Sequence, residues 1–150
     1  LKKGLEDMER GDKEQVIGVI KDAVLRYYPN AQAIYLFGSY QTENEWPDSD
    51  VDVAVLLSPG EARKAGSLMM SELYGAIGSL LRRDVDIVNL RRVPTVLQKE
   101  IVMADRRIYT GNRYAAEEFE MLTMSFYMKL NEERAEIIQN ALKDGRFHEV

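Results

Sequence analysis

The chain has 150 residues, 45% apolar and 30% charged, which suits one soluble domain with a buried core but leaves no room for a separate substrate-binding domain. A net charge of −5 without a basic stripe argues against a DNA or RNA polymer as partner, and the absence of cysteine excludes disulfides and thiolate metal sites. No apolar run is long enough to cross a bilayer and no leader segment opens the chain, so no membrane is expected and the cytoplasm is the expected compartment.

The chain begins at Leu1, and its first few residues are given no reading. Residues 12–28 place Val16, Ile17, Ile20, Ala23, Val24 and Tyr27 on one helical face, with Asp12 as cap and Pro29-Asn30 as stop. The run Ala33-Ile34-Tyr35-Leu36-Phe37 then predicts a strand that delivers Gly38-Ser39. Ten polar residues, 40–49, form a loop with the only tryptophan, Trp46, which either pins the loop or shelters a nucleotide base. Asp50-Val51-Asp52 leads into a second strand over residues 51–57. Its period of two sends Asp50 and Asp52 to one face and Val51, Val53 and Val55 to the other.

Ser58-Pro59-Gly60-Glu61 is a capping-box signature. It predicts one helix carrying Ala62, Ala65, Met69, Leu73, Ala76, Ile77 and Leu80, with Gly66, Gly75 and Gly78 suggesting close packing against a neighbour. Residues 82–90 read as a third strand with Asp84, Asp86 and Val88 on one face. Asp86 lies inside that strand. Asp84 stands at its mouth, where a solvated charge or a partner for Arg82 or Arg83 is the plainer role, so Asp86 is the preferred third acid.

Pro94 starts a further helix through Val96, Leu97, Ile101 and Val102, and Arg107-Ile108-Tyr109 forms a short last strand. After a turn at Gly111-Asn112, a closing helix runs over residues 113–142. It carries Phe119, Leu122, Phe126 and Leu130 on one stripe and Met121, Met124 and Met128 on the next, a wider arc than one packed face requires. Either the helix is sunk in the core on both sides, or the Met stripe is a partner surface. His148, the only histidine, stands in the tail with a structural or incidental role.

Two carboxylates beside a Gly-Ser turn suggest a definite chemistry. Mg²⁺ takes oxygen ligands, keeps several waters, and is usually gripped by one or two carboxylates plus substrate phosphates. Gly38 lets the backbone approach a bulky anion, and Ser39 offers a hydroxyl and an N–H where a short helix could begin. A third acid at Asp86 would complete a two-metal site, with ions about 4 Å apart clamping the attacking and leaving oxygens of an in-line displacement. A merely solvated acid cluster is a poor explanation, because like charges side by side on one strand face repel.

Gly38-Ser39, ten residues, then Asp50-Val51-Asp52, all between two strands, resembles the signature of the polymerase-beta-type nucleotidyltransferase superfamily, and the small size resembles its minimal nucleotidyltransferase (MNT) branch. The Asp86 strand, the Pro94 helix, the Ile108-Tyr109 strand and the long last helix follow the order of that branch's antitoxin members, over about residues 12–142. The resemblance implies an α/β nucleotidyltransferase fold of the polymerase-beta-like palm type, a small mixed sheet flanked by helices with a long C-terminal helix. A single domain over 1–150 follows, with a catalytic core at about 12–110 and the 112–142 helix as candidate partner surface.

By the same resemblance, the triphosphate of ATP is held at Gly38 and Ser39, and two Mg²⁺ are bound by Asp50, Asp52 and Asp86. An acceptor hydroxyl attacks the α-phosphorus and pyrophosphate leaves, with Asp86 helping to deprotonate the acceptor or holding the ion that lowers its pKa. Such transfer is mostly positioning and neutralisation of spread charge, so it requires neither histidine nor cysteine. Antitoxins of this branch are paired with a HEPN-domain ribonuclease toxin and silence it by adding AMP to a tyrosine, so the partner would bring the acceptor hydroxyl. Two rivals remain. A small-molecule nucleotidyltransferase usually carries an additional helical domain that this length scarcely permits. A non-catalytic antitoxin acting by binding alone would not require all three acids and Gly38-Ser39.

Overall fold

A computed structural model describes residues 2–38, 50–69 and 71–144, with side chains from residue 13 onward. Ser39, the 40–49 loop with Trp46, and His148 lie outside the described residues. The four strands β1 (Ala33–Phe37), β2 (Val51–Leu56), β3 (Val85–Asn89) and β4 (Arg107–Thr110) form one mixed sheet in the order β3-β2-β1-β4. β1 runs antiparallel to β2 and β4, whereas β2 and β3 run parallel. A parallel pair requires a long crossover, and residues 57–84 supply it.

Helices cover both faces, as the alternation of apolar side chains along every central strand demands. On one face Ile34, Leu36, Val53, Val55 and Ile87 pack against Ile20 and Val24 of α1 (Lys2–Tyr27). The same layer takes Leu73 and Ile77 of α3 (Glu72–Leu81), which follows the short α2 (Pro59–Ala65) in the crossover. On the other face Tyr35, Ala54 and Leu56 meet Ile101 of α4 (Thr95–Met103) and Ala116 and Phe119 of α5 (Arg113–Lys143). Each fully buried aliphatic side chain contributes about 1.5–3 kcal/mol relative to exposure, so these two layers hold the sheet in place.

A polar tether fastens α5 to the sheet. Tyr35 donates its hydroxyl to Glu120 Oε1 at 2.9 Å, and Arg107 Nη1 pairs with the same carboxylate at 3.2 Å. Burial first and then Glu120 push the Tyr35 hydroxyl pKa well up, so the donor stays protonated.

Three expectations require correction. The first helix begins at Lys2 rather than at Asp12, because residues 2–10 are mostly good helix formers, which carry the helix backwards past Gly11. The helix expected from Pro59 to Leu80 is two helices, α2 and α3, with an irregular connection. Gly66 ends α2 at φ 60, a conformation that L side chains rarely adopt, and Ser71 caps α3 by accepting the Tyr74 N–H at 3.2 Å. A Cβ at Gly66 or Gly75 would meet nothing within 4 Å, so these glycines do not serve close packing. The buried Asn89 holds the break by donating Nδ2 to Ala62 O at 2.9 Å and Gly66 O at 2.8 Å.

In α5 the buried residues are Ala116, Phe119 and Thr123 alone. Leu122 and Phe126, read as part of the packed stripe, are exposed, and so are Met121 and Met128 at 63% and 60%. The core alternative for the Met stripe is therefore excluded at Met121 and Met128. Only the first turns of a 31-residue helix reach the sheet.

Candidate functional site

The antiparallel register sets Phe37 opposite Asp52, and the parallel register sets Asp52 beside Asp86. Both carboxylates project on the α4 and α5 side of the sheet, because Val51, Val53, Val85 and Ile87 fill the other side. Asp50 immediately precedes β2 and is exposed. Asp84 likewise lies outside its strand and exposed, with its carbonyl accepting the Val51 N–H at 2.9 Å. Of the two acids weighed for third place, Asp86 is the one beside Asp52.

The crowding has a clear electrostatic mark. The Asp52 carboxyl is pushed up to about 6 from its ordinary 3.8, first by burial, then by the charge of Asp86 and a hydrogen bond with it, and then by Asp50. Two carboxyls share a hydrogen bond only if one carries the proton. Arg106 acts in the opposite direction and favours the ionised form.

Gly38 closes over this pair. Its φ is +75, and a Cβ placed there would lie 2.0 Å from Asp52 Oδ2, so only glycine lets the turn and the carboxylate coexist. Arg106 Nη1 donates to the Gly38 carbonyl at 2.9 Å, and the Arg106 carbonyl accepts the Leu36 N–H at 2.9 Å. Sequence reading missed Arg106. It sits just before β4, 68 residues from Gly38, and no local pattern links the two. The one available signal was an arginine at the mouth of a strand expected in the same sheet.

Gly38, Asp50, Asp52 and Asp86 are therefore brought to one end of the sheet, while Ser39 is outside the described residues. All the acidic donors are carboxylate oxygens, hard ligands that suit Mg²⁺ better than a softer metal. Among the described residues no three acidic or histidine side chains close into a ready-made metal cage. An ion that takes its remaining ligands from phosphate oxygens and water does not require one. Like-charge crowding at Asp52 is the kind of stress that a bound cation relieves, so the donor set fits the ion. Among the described residues, no helix is long and apolar enough to cross a membrane.

Comparison with known proteins gives concordant results. The polymerase beta, nucleotidyltransferase family model matches residues 20–114. The protein adenylyltransferase MntA of Shewanella oneidensis is 33% identical over 135 residues, which cover 90% of this chain and 91% of that protein. A crystal structure of a toxin-antitoxin with AMP-PNP matches with a TM-score of 0.63 at 31% identity, over 84% of this chain and 98% of that one. A structure of tri-AMPylated Shewanella oneidensis HEPN toxin in complex with MNT antitoxin matches with a TM-score of 0.60 at 30% identity, over 86% and 98%. With the family model matched over more than half its length, this chain belongs to the polymerase beta nucleotidyltransferase family.

Proposed function

We propose that this chain is an antitoxin nucleotidyltransferase that transfers AMP from ATP to a tyrosine hydroxyl of a cognate HEPN ribonuclease toxin and releases pyrophosphate. The observation that carries the reading is the pairing of Asp52 with Asp86 across β2 and β3, next to Asp50 and under the Gly38 turn. Similarity to the adenylyltransferase MntA, and to an MNT antitoxin bound to a tri-AMPylated HEPN toxin, supports the reaction and the partner. Similarity to a toxin-antitoxin structure with AMP-PNP supports ATP as donor.

Each residue has a distinct role in this reading. Gly38 and Ser39 receive the triphosphate, and Asp50, Asp52 and Asp86 would hold two Mg²⁺. When bound, the metal neutralises charge on the triphosphate and lowers the pKa of the attacking hydroxyl. Through its own carboxylate or through the ion that it would hold, Asp86 helps the tyrosine hydroxyl to lose its proton. The tyrosine oxygen then bonds to the α-phosphorus as the bond to the pyrophosphate oxygen breaks.

The unit is one domain over residues 1–150, with its core at about 12–110. The exposed stretch of α5 with Met121, Phe126, Met128 and Ile137 serves as the surface for the toxin. The compartment is the cytoplasm, where a cysteine-free protein that consumes ATP belongs.

The test uses the purified protein, ATP, Mg²⁺ and the cognate HEPN protein, with intact-mass measurement of the partner. A gain of one or more AMP units on tyrosine is expected, and it should vanish with a chelator or with Asp50→Asn combined with Asp52→Asn. Survival of full protection against the toxin in that double variant would show that binding alone does the work.

A further inference from the structure

We infer that Arg106 is a positioning residue for the nucleotide, holding the Gly38 turn in the conformation that receives the triphosphate; this rests on the nucleotidyl-transfer reading above. The backbone on both sides of Arg106 is constrained. Its carbonyl accepts the Leu36 N–H at 2.9 Å, which continues the β1–β4 ladder, and the preceding Asp105 adopts φ 54, a left-handed conformation uncommon outside glycine. The side chain then spans from the mouth of β4 to the end of β1, where Nη1 donates to the Gly38 carbonyl at 2.9 Å.

That carbonyl is a sensitive point. With no Cβ, the Gly38 backbone is free to rotate, and a hydrogen bond to its carbonyl limits that rotation at the point where the turn leaves β1. Gly38 sits at φ +75 with Asp52 Oδ2 where a Cβ would be, so rotation of the turn would also disturb the carboxylate beneath it. The guanidinium therefore ties the phosphate side of the site to the acidic side, and its charge already acts on Asp52. Arginine suits the task because it stays charged and its donors have a fixed geometry. The purely structural alternative is a clasp that joins β4 to β1 with no effect on nucleotide.

Nucleotide affinity separates the two, and it can be measured without any acceptor. Isothermal titration calorimetry with AMP-PNP and Mg²⁺ is run on the wild type, Arg106→Ala and Arg106→Lys, with thermal melting of each as a check on folding. The alanine variant should bind about ten-fold more weakly, the worth of one charge-assisted hydrogen bond, with the lysine variant in between. In steady-state transfer the KM for ATP should rise more than kcat falls, and free guanidinium should restore part of the lost affinity of Arg106→Ala. Binding by a folded alanine variant within about two-fold of the wild type overturns the inference and leaves the nucleotidyl-transfer reading standing. A wild type that binds no nucleotide overturns both.

Discussion

Replacing Asp52 by Asn should make the metal-free protein more stable at neutral pH while removing its activity. In the folded chain the Asp52 proton is held up to about 6 instead of 3.8, through burial, Asp86 and Asp50 in that order. The folded state therefore binds more protons than the unfolded state between those values, and stability falls as pH rises through that window. A gap of about two pKa units corresponds to about 3 kcal/mol at 1.36 kcal/mol per unit. Asp52 is only half-buried, so solvent screening reduces this to about 1 kcal/mol, or about 3 °C in Tm for a chain of this size. The assay is thermal denaturation of wild type and Asp52→Asn in a chelator at about pH 3 and about pH 7.5, on either side of the window. The variant should melt higher at the upper pH and match the wild type at the lower one. Added Mg²⁺ should raise the wild type more than the variant, because only the wild type keeps the full ligand set. A variant that melts at or below the wild type at the upper pH would refute the electrostatic account of the site.

Gly38→Ala forces a Cβ to 2.0 Å from Asp52 Oδ2 at a φ of +75, and should abolish AMP transfer with a loss of about 1–3 kcal/mol. In α1, Gly18→Ala meets nothing within 4 Å and should gain about 0.5–1 kcal/mol. Urea denaturation compares the two, and effects of one sign at both positions would contradict the packing. Tyr35→Phe removes the donor to Glu120 while leaving the Arg107 pair, and should cost about 1 kcal/mol in the same assay. An unchanged midpoint would mean that the tether does not hold α5.

Most of the sheet was legible because its strands are short apolar runs bounded by Gly, Pro, Asn or Asp, and β1, β2 and β4 fall close to their expected places. The start of α5 was readable from Gly111-Asn112, and Asn112 does accept the Ala115 N–H at 3.0 Å. β3 is shorter than the 82–90 run because Arg82 takes φ 52 to end α3. The break between α2 and α3 was hidden because the apolar spacing continues across it, while its cause lies in the Gly66 backbone and in Asn89, 23 residues away. The closeness of Asp50 to Asp52 is a local matter of period two. That Asp86 stands beside Asp52 depends on strand order and register, which a period cannot supply. Arg106 was invisible for the same reason, since its partner is a carbonyl in another strand's turn.

The crossover between β2 and β3 keeps Leu68, Leu73 and Ile77 in the layer with α1, behind the sheet as seen from Asp52 and Asp86. A parallel neighbour asks only that the chain return in step, whatever route it takes between. Descendants of this chain are therefore at liberty to vary the outward side of α3, Leu80 included, without retuning the carboxylates, so evolutionary drift has a workshop on the rear wall while Leu73 and Ile77 stay pinned beneath the sheet.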